Sequence, residues 1–218
     1  KMHKFEAMGV SVICHPKNPK APTSHFNVRT FMIYNKKNRE SWWIGGGCDL
    51  TPFFPYKSDI TLWHKSLKST FDPFSKTFYR KFAKECDKYF FLPHRNERRG
   101  VGGVFFDNLK HKEHTDSLNL LESLGKEYTK AYCKILKRRS IEKYSKDQKL
   151  FQQIRRGRYA EFNLLHDRGT KFGLESGGRV KSILSSMPPS TSWAYEIPKE
   201  LKKYETRLLK TLKESWVI

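Results

Sequence analysis

Residues 25–34 read His25-Phe26-Asn27-Val28-Arg29-Thr30-Phe31-Met32-Ile33-Tyr34, a continuous run rich in β-branched and aromatic residues with no Gly or Pro. Such a run predicts a strand. Successive strand side chains point to opposite faces, so His25, Asn27 and Arg29 project together while Phe26, Val28 and Thr30 point the other way. Working outward, Gly9-Val10-Ser11-Val12-Ile13-Cys14 predicts a preceding strand, joined through a Pro-rich loop from Pro16 to Pro22. Asn35-Lys36-Lys37-Asn38 predicts a hairpin turn into a strand at Ser41-Trp42-Trp43-Ile44, after which come Gly45-Gly46-Gly47. Asp59 is expected to cap a helix running through Leu62, Trp63 and Leu67. Helical periodicity also covers residues 75–90, 118–136, 144–153 and 199–216, while residues 101–107, 158–165 and 180–187 read as strands. Roughly six strands with helices between and around them predict an α+β fold with a mainly antiparallel sheet. No repeat or Gly/Ser linker divides the chain, so a single domain over 1–218 is expected.

Composition narrows the function without choosing it. The chain carries 43 Lys and Arg against 22 Asp and Glu, a formal charge of +21. That excess suits an anionic partner (nucleic acid, membrane headgroups or a polycarboxylate), and equally a lysine-rich solvated surface. No zinc finger, RNP aromatic motif or KH-type GXXG context appears, which argues against nucleic acid. Cys14, Cys48, Cys86 and Cys133 are scattered with no C-x-x-C pair, so neither a disulfide framework nor a structural zinc site is expected. Reduced thiols point to a cytoplasm-like compartment. No apolar run approaches the roughly 20 residues that span a bilayer.

Three constellations carry the chemistry. In the row formed by His25, Asn27 and Arg29, an imidazole can move a proton near neutrality. A guanidinium grips a carboxylate through two parallel hydrogen bonds. The same row is also what a wet sheet face looks like, and spacing alone does not separate the two. In Gly45-Gly46-Gly47-Cys48-Asp49-Leu50-Thr51-Pro52, the glycines let the backbone turn sharply or approach a ligand. Asp49 is either a functional carboxylate at a strand end or a turn residue before Thr51-Pro52. Arginine then stands near glycine in Arg98-Arg99-Gly100, Arg155-Arg156-Gly157-Arg158 and Gly177-Gly178-Arg179. That recurrence fits several carboxylate-binding points far apart in sequence, or a phosphodiester backbone. His15, His25, His64 and His94 lack any i, i+4 ligand spacing, so a metal site would require them to converge in space.

Together these segments resemble the oxygen-dependent coproporphyrinogen III oxidases. The likeness runs in family order through Gly9-Val10-Ser11 with His15-Pro16, Pro22-Thr23-Ser24-His25-Phe26-Asn27-Val28-Arg29, and Trp42-Trp43-Ile44 on to Pro52. It continues through Phe90-Phe91-Leu92-Pro93-His94-Arg95, Arg99-Gly100-Val101-Gly102-Gly103-Val104-Phe105-Phe106-Asp107, Arg156-Gly157-Arg158-Tyr159 with Glu161-Phe162-Asn163, and Gly177-Gly178-Arg179. The resemblance implies a large flat, mainly antiparallel sheet packed between helices. It implies a homodimer with an interface including residues from about 159 to 192, and a family N-terminal region absent before Lys1. The implied reaction is oxidative decarboxylation of two propionates of coproporphyrinogen III to vinyl groups. It gives protoporphyrinogen IX, CO2 and H2O2 in haem biosynthesis, with dioxygen as co-substrate and no redox cofactor.

Carried onto this sequence, the catalytic set is His25 as proton donor, Asp49 as base or orienting group for the pyrrole nitrogens, and Arg99. Arg29, Arg99 and Arg179 are expected to bind propionates, assisted by Ser11 and the backbone at Asn27, Val28, Gly177 and Gly178. Bacterial relatives are assigned a divalent metal at histidines matching His15, His25, His64 and His94, a role that competes with a free proton-donating His25. The expected partners are coproporphyrinogen III and a second copy of the chain, not nucleic acid. The expected location is the cytoplasm, with an organelle left open by the missing N-terminal region. Departures from the family pattern are Cys48 for a small residue, Asn96 for glycine, Asn108 for a second aspartate and His166 for tyrosine. Asn108 weakens any role that needs a carboxylate there.

Overall fold

A computed structural model describes residues 4–34 and 39–218, so the hairpin turn expected at 35–38 lies outside the described residues. The strands are β1 (Lys4–Cys14), β2 (Thr23–Tyr34), β3 (Arg39–Thr51), β4 (Phe91–Leu92), β5 (Glu97–Arg98) and β6 (Gly103–Leu109). The helices are α1 (Lys57–Phe71), α2 (Phe78–Tyr89), α3 (His114–Ser140), α4 (Lys146–Leu165), α5 (Arg168–Glu175), α6 (Val180–Leu184) and α7 (Lys202–Lys213). β1, β2, β3 and β6 form one antiparallel sheet in that order, and β4 and β5 pair in a small ribbon. The fold is α+β, as the sequence predicts.

Alternation along β2 divides the sheet into a polar and an apolar face. On the apolar face Phe26, Ile44, Cys48, Leu50, Val104 and Phe106 are buried with Trp63 and Leu67 of α1 and Leu120, Leu124 and Tyr128 of α3. Phe26 stacks on Tyr128 with ring centroids 4.7 Å apart, an arrangement contributing about 0.5–1.5 kcal/mol beyond area burial. The opposite face carries His25, Asn27 and Arg29, which lie directly across from Asp49, Gly47 and Gly45 in the β2–β3 register.

The glycine triplet does not turn the chain. β3 passes straight through it to Thr51, which brings Asp49 level with His25. Small residues are needed because neighbouring strands come too close for a Cβ. A methyl at Gly47 would collide with the Val104 carbonyl oxygen, which is backbone and cannot rotate away. Gly47→Ala is expected to destabilise the protein by about 1–3 kcal/mol, the usual cost of overpacking, measured by urea unfolding.

Two expected strands are helical. Residues 158–165 complete α4, which starts at a capping box between Ser145 and Gln148. Their local alternation is part of a longer buried stripe, Phe151, Ile154, Arg155, Tyr159, Phe162 and Asn163, at 3–4-residue spacing. Residues 180–187 form the short α6 and the turn after it, not a strand. Asp59 does not cap α1, since Tyr56 holds the N-cap position. Asp59 is instead buried in the first turn, bound by Arg138 and by both Nε and Nη2 of Arg139. All four cysteines are free, and among the described residues no helix is long and apolar enough to cross a membrane.

Candidate active site

The polar face of the sheet floors a cavity of about 950 Å³. Ser11, His25, Asn27 and Arg29 line its floor, while Tyr89, Phe105, Tyr159 and residues of α5 and α6 form its walls. The walls are aromatic: Tyr89 and Phe105 stack with centroids 4.2 Å apart and planes 9° from parallel. A broad apolar enclosure with a few polar groups on one side suits a large flat ligand with charged arms.

At the inner end, Arg99 and Asp49 form a buried ion pair, 5% and 1% exposed. Arg99 Nη2 donates to Asp49 Oδ1 at 2.8 Å, and Nη1 donates to Asn163 Oδ1 at 2.9 Å. The guanidinium carbon lies 4.0–4.7 Å from the ring centroids of Phe90, Tyr159 and Phe162, so cation–π attraction adds to the pair. Asp49 Oδ1 also meets His25 Nδ1 at 3.2 Å, and Thr51 Oγ1 donates to Oδ2 at 3.3 Å. Burial alone would raise the Asp49 carboxyl above its ordinary range. The charge of Arg99 and the contact with His25 overcome that and hold it below. Asp49 is therefore an anchored anion behind the cavity wall, while His25 and Arg99 line the cavity itself.

At the outer end, Arg29 Nη1 donates to Asn27 Oδ1 at 2.8 Å, and Nη2 approaches Asp107 Oδ1 at 3.1 Å. Glycine at 45 gives the Arg29 guanidinium its place: a Cβ there would lie 2.8 Å from Asp107 Oδ1 and 2.9 Å from Arg29 Nε. Arg168, at the start of α5, lies 3.7 Å from the other Asp107 oxygen and over the Tyr89 and Phe105 rings. Two guanidinium groups thus share one carboxylate at the cavity edge. Neither Asp107 nor Arg168 was singled out from the residues alone, although Arg168-Gly169 repeats the arginine–glycine signal.

The remaining expected residues are placed differently. Val28 sits mid-sheet between Val10 and Gly46 and turns its side chain to the helix-packed core. Gly177, Gly178 and Arg179 form the exposed turn between α5 and α6 and are not among the cavity-lining residues. The N–H groups of Gly177 and Gly178 already donate to Leu174 O and Gly173 O, so neither is open to an anion.

The four histidines do not assemble. His64 donates Nε2–H to Val101 O and accepts at Nδ1 from Tyr79 Oη. His15 likewise donates Nε2–H to Ser186 O and meets Thr23 Oγ1 at Nδ1. Burial lowers both, to about 4. With both ring nitrogens engaged, neither offers a lone pair to an ion. Among the described residues no group of three or more His, Cys, Asp or Glu side chains is placed to hold a metal. The expected His15, His25, His64 and His94 quartet therefore does not fit a common ion.

A cavity lined by Arg29, Arg168 and His25 between aromatic walls, with Asp49 anchored behind His25, suits a flat polycarboxylate. Residues 1–216 match the family model described as coproporphyrinogen III oxidase, and this chain belongs to that family of oxidoreductases, which decarboxylate a tetrapyrrole in porphyrin biosynthesis.

Proposed function

We propose that this enzyme uses dioxygen to convert two propionate arms of coproporphyrinogen III to vinyl groups, giving protoporphyrinogen IX for haem synthesis. The observation that carries this reading is the shared cavity of Arg29, Arg168 and His25, with Arg99 bound to Asp49 behind them. It pairs guanidinium groups for acid arms with a proton-transfer group at one end. Each arm, –CH2–CH2–COO−, reacts with O2 and one proton to give –CH=CH2, CO2 and H2O2. The arm loses two electrons and dioxygen gains them. Loss of the ring N–H proton makes the pyrrole electron-rich enough to add dioxygen. The ring-bound peroxide takes a proton from the carbon attached to the ring and leaves, with a second proton, as H2O2; the ring nitrogen regains its own proton in the step that follows. The bond to the carboxylate then supplies the electron pair of the new double bond, and carbon dioxide leaves.

In this scheme His25 is the proton-transfer residue, since its Nδ1 contacts Asp49 and its Nε2 has no protein hydrogen bond among the described residues. Asp49 is a positioning residue that acts through His25 and Arg99, because it is buried behind both. Arg29, Asn27, Ser11 and Arg168 hold the acid arms. Arginines that grip the reacting carboxylate too tightly would oppose its departure, so the firmest grip belongs on the arms that stay. The enzyme works as a cytoplasmic homodimer in this reading, in keeping with its free thiols.

Oxygen uptake with coproporphyrinogen III tests the proposal, run with and without a chelator. Two O2 consumed and two CO2 released per product formed is the expected result, and turnover without oxygen would overturn it. Arg29→Ala removes a charge-assisted hydrogen bond of about 1.5–3 kcal/mol. Its kcat/KM is expected to fall about 10–100-fold, chiefly through KM, in the same assay.

A further inference from the structure

At the cavity edge Asp107 holds the two guanidinium groups that an acid arm of the substrate would also want. Its Oδ1 lies 3.1 Å from Arg29 Nη2 and its Oδ2 lies 3.7 Å from Arg168 Nη2, so one carboxylate bridges both. The backbone is shaped to put it there. Gly45 alone faces Asp107 and Asn108 between the pairs Gly46–Phe106 and Ile44–Leu109, which is a bulge, and a bulge bends its strand and re-aims a side chain. Asn108 completes the bend at a φ of 51°, in the left-handed region that asparagine enters more readily than most residues. The Asn108 N–H donates to Asp107 Oδ1 at 3.1 Å and steadies the carboxylate. The side chains of Arg29 and Asp107 are each 28% exposed and that of Arg168 is 63% exposed, so all three are within reach of an entering ligand.

The reaction has two arms to process, yet among the described residues His25 is the only imidazole lining the cavity. The tetrapyrrole must therefore present its reacting arms in turn, and arms clamped during the first step must be let go before the second. An arm bridging two uncompensated guanidinium groups would leave slowly, because affinity differences within one site appear mainly in the dissociation rate. Such a ground-state grip lowers KM without raising kcat. We propose, on the polycarboxylate reading given above, that Asp107 is an exchange carboxylate. It competes with each acid arm for Arg29 and Arg168 and takes both guanidinium groups back when the arm departs. It is a positioning residue, acting through the two arginines. An acid that merely oriented Arg29 would strengthen substrate binding, whereas one that competes weakens binding and frees the macrocycle to turn.

Asp107→Asn separates the two, because the amide keeps the shape and an oxygen for the Asn108 N–H but gives up the charge. The probe for binding is coproporphyrin III, which keeps four acid arms but lacks the electron-rich ring that adds dioxygen. Fluorescence titration is expected to show its Kd falling about two- to fivefold in Asp107→Asn. Glu122→Gln removes an equal charge from the exposed face of α3 and should bind as the wild-type chain does. In a single turnover of coproporphyrinogen III with enzyme in excess, Asp107→Asn should release the first CO2 at the wild-type rate and the second about two- to fivefold more slowly. Thermal unfolding of each variant confirms that the fold persists. Weaker or unchanged binding by Asp107→Asn, equal tightening in Glu122→Gln, or a wild-type interval between the two CO2 releases would each overturn the proposal. A wild-type chain that binds coproporphyrin III but does not turn over coproporphyrinogen III would remove the enzymatic reading, while the binding comparison still decides whether Asp107 competes.

Discussion

Asp49→Ala is expected to lower the unfolding free energy by about 3–5 kcal/mol, the range seen when one partner of a buried ion pair is removed. Arg99 would be left as a buried cation with a single amide acceptor, Asn163, and three aromatic faces. Those faces attract the charge but accept no N–H hydrogen bond as strong as that of a carboxylate. Replacing both partners, as Asp49→Leu with Arg99→Met, is expected to restore much of the stability while leaving the enzyme inactive. That contrast in urea unfolding separates the desolvation penalty from the net value of the pair. pH supplies a second readout. The folded state holds the Asp49 carboxyl below its ordinary value near 3.8. Its stabilisation is thus fully present above that value and is lost as pH falls through the lower folded one. Acid unfolding of Asp49→Ala should lack this component. If Asp49→Ala matched the wild-type midpoint in urea, the buried pair would carry no stabilising role.

His25→Gln is expected to lower kcat by about 10²–10⁴-fold, the range for loss of a positioned acid–base group, with substrate affinity changed only a few-fold. Glutamine keeps a hydrogen-bonding side chain of similar reach on the same strand face, so the arginine grip on the acid arms should persist. Added imidazole should restore part of the turnover in His25→Ala and none in Asp49→Ala, because only the first variant leaves an imidazole-sized space next to an intact Asp49–Arg99 anchor. Asp49→Asn should show the positioning role more gently, with kcat reduced and KM little altered. A His25→Gln enzyme with near wild-type kcat would remove the imidazole from the mechanism.

The sequence was most legible where period and chemistry coincide. The run from His25 to Tyr34 declares a strand, and its alternation correctly puts His25, Asn27 and Arg29 on one face. Depth was less legible than direction. Asp49 shares that face but lies behind His25, because antiparallel register sets the two side by side and Arg99 enters from another loop to cover the carboxylate. Nothing local to Gly45-Gly46-Gly47 reveals that. Residues 158–165 misled because eight residues satisfy a two-residue period while belonging to a twenty-residue helix, whose signal is the Ser145–Gln148 cap well upstream. Arg168 and Asp107 were hidden for a third reason: they meet across 61 positions of chain, and only the folded cavity edge brings them together. The histidine quartet failed on partners more than on position, since the ring nitrogens of His15 and His64 were already engaged by nearby hydroxyl and carbonyl groups.

The centre of β3 contributes to the cavity by withholding matter. At residues 45–47 each added methyl would meet an arginine tip, a neighbouring ring or a carbonyl, so the usual ranking of substitutions by bulk is inverted along this strand. Adjacent Trp42 and Trp43 are the largest side chains there, while the glycines are the positions with least latitude. What the strand contributes at these positions is a vacancy of defined shape, and its neighbours on either side enforce it.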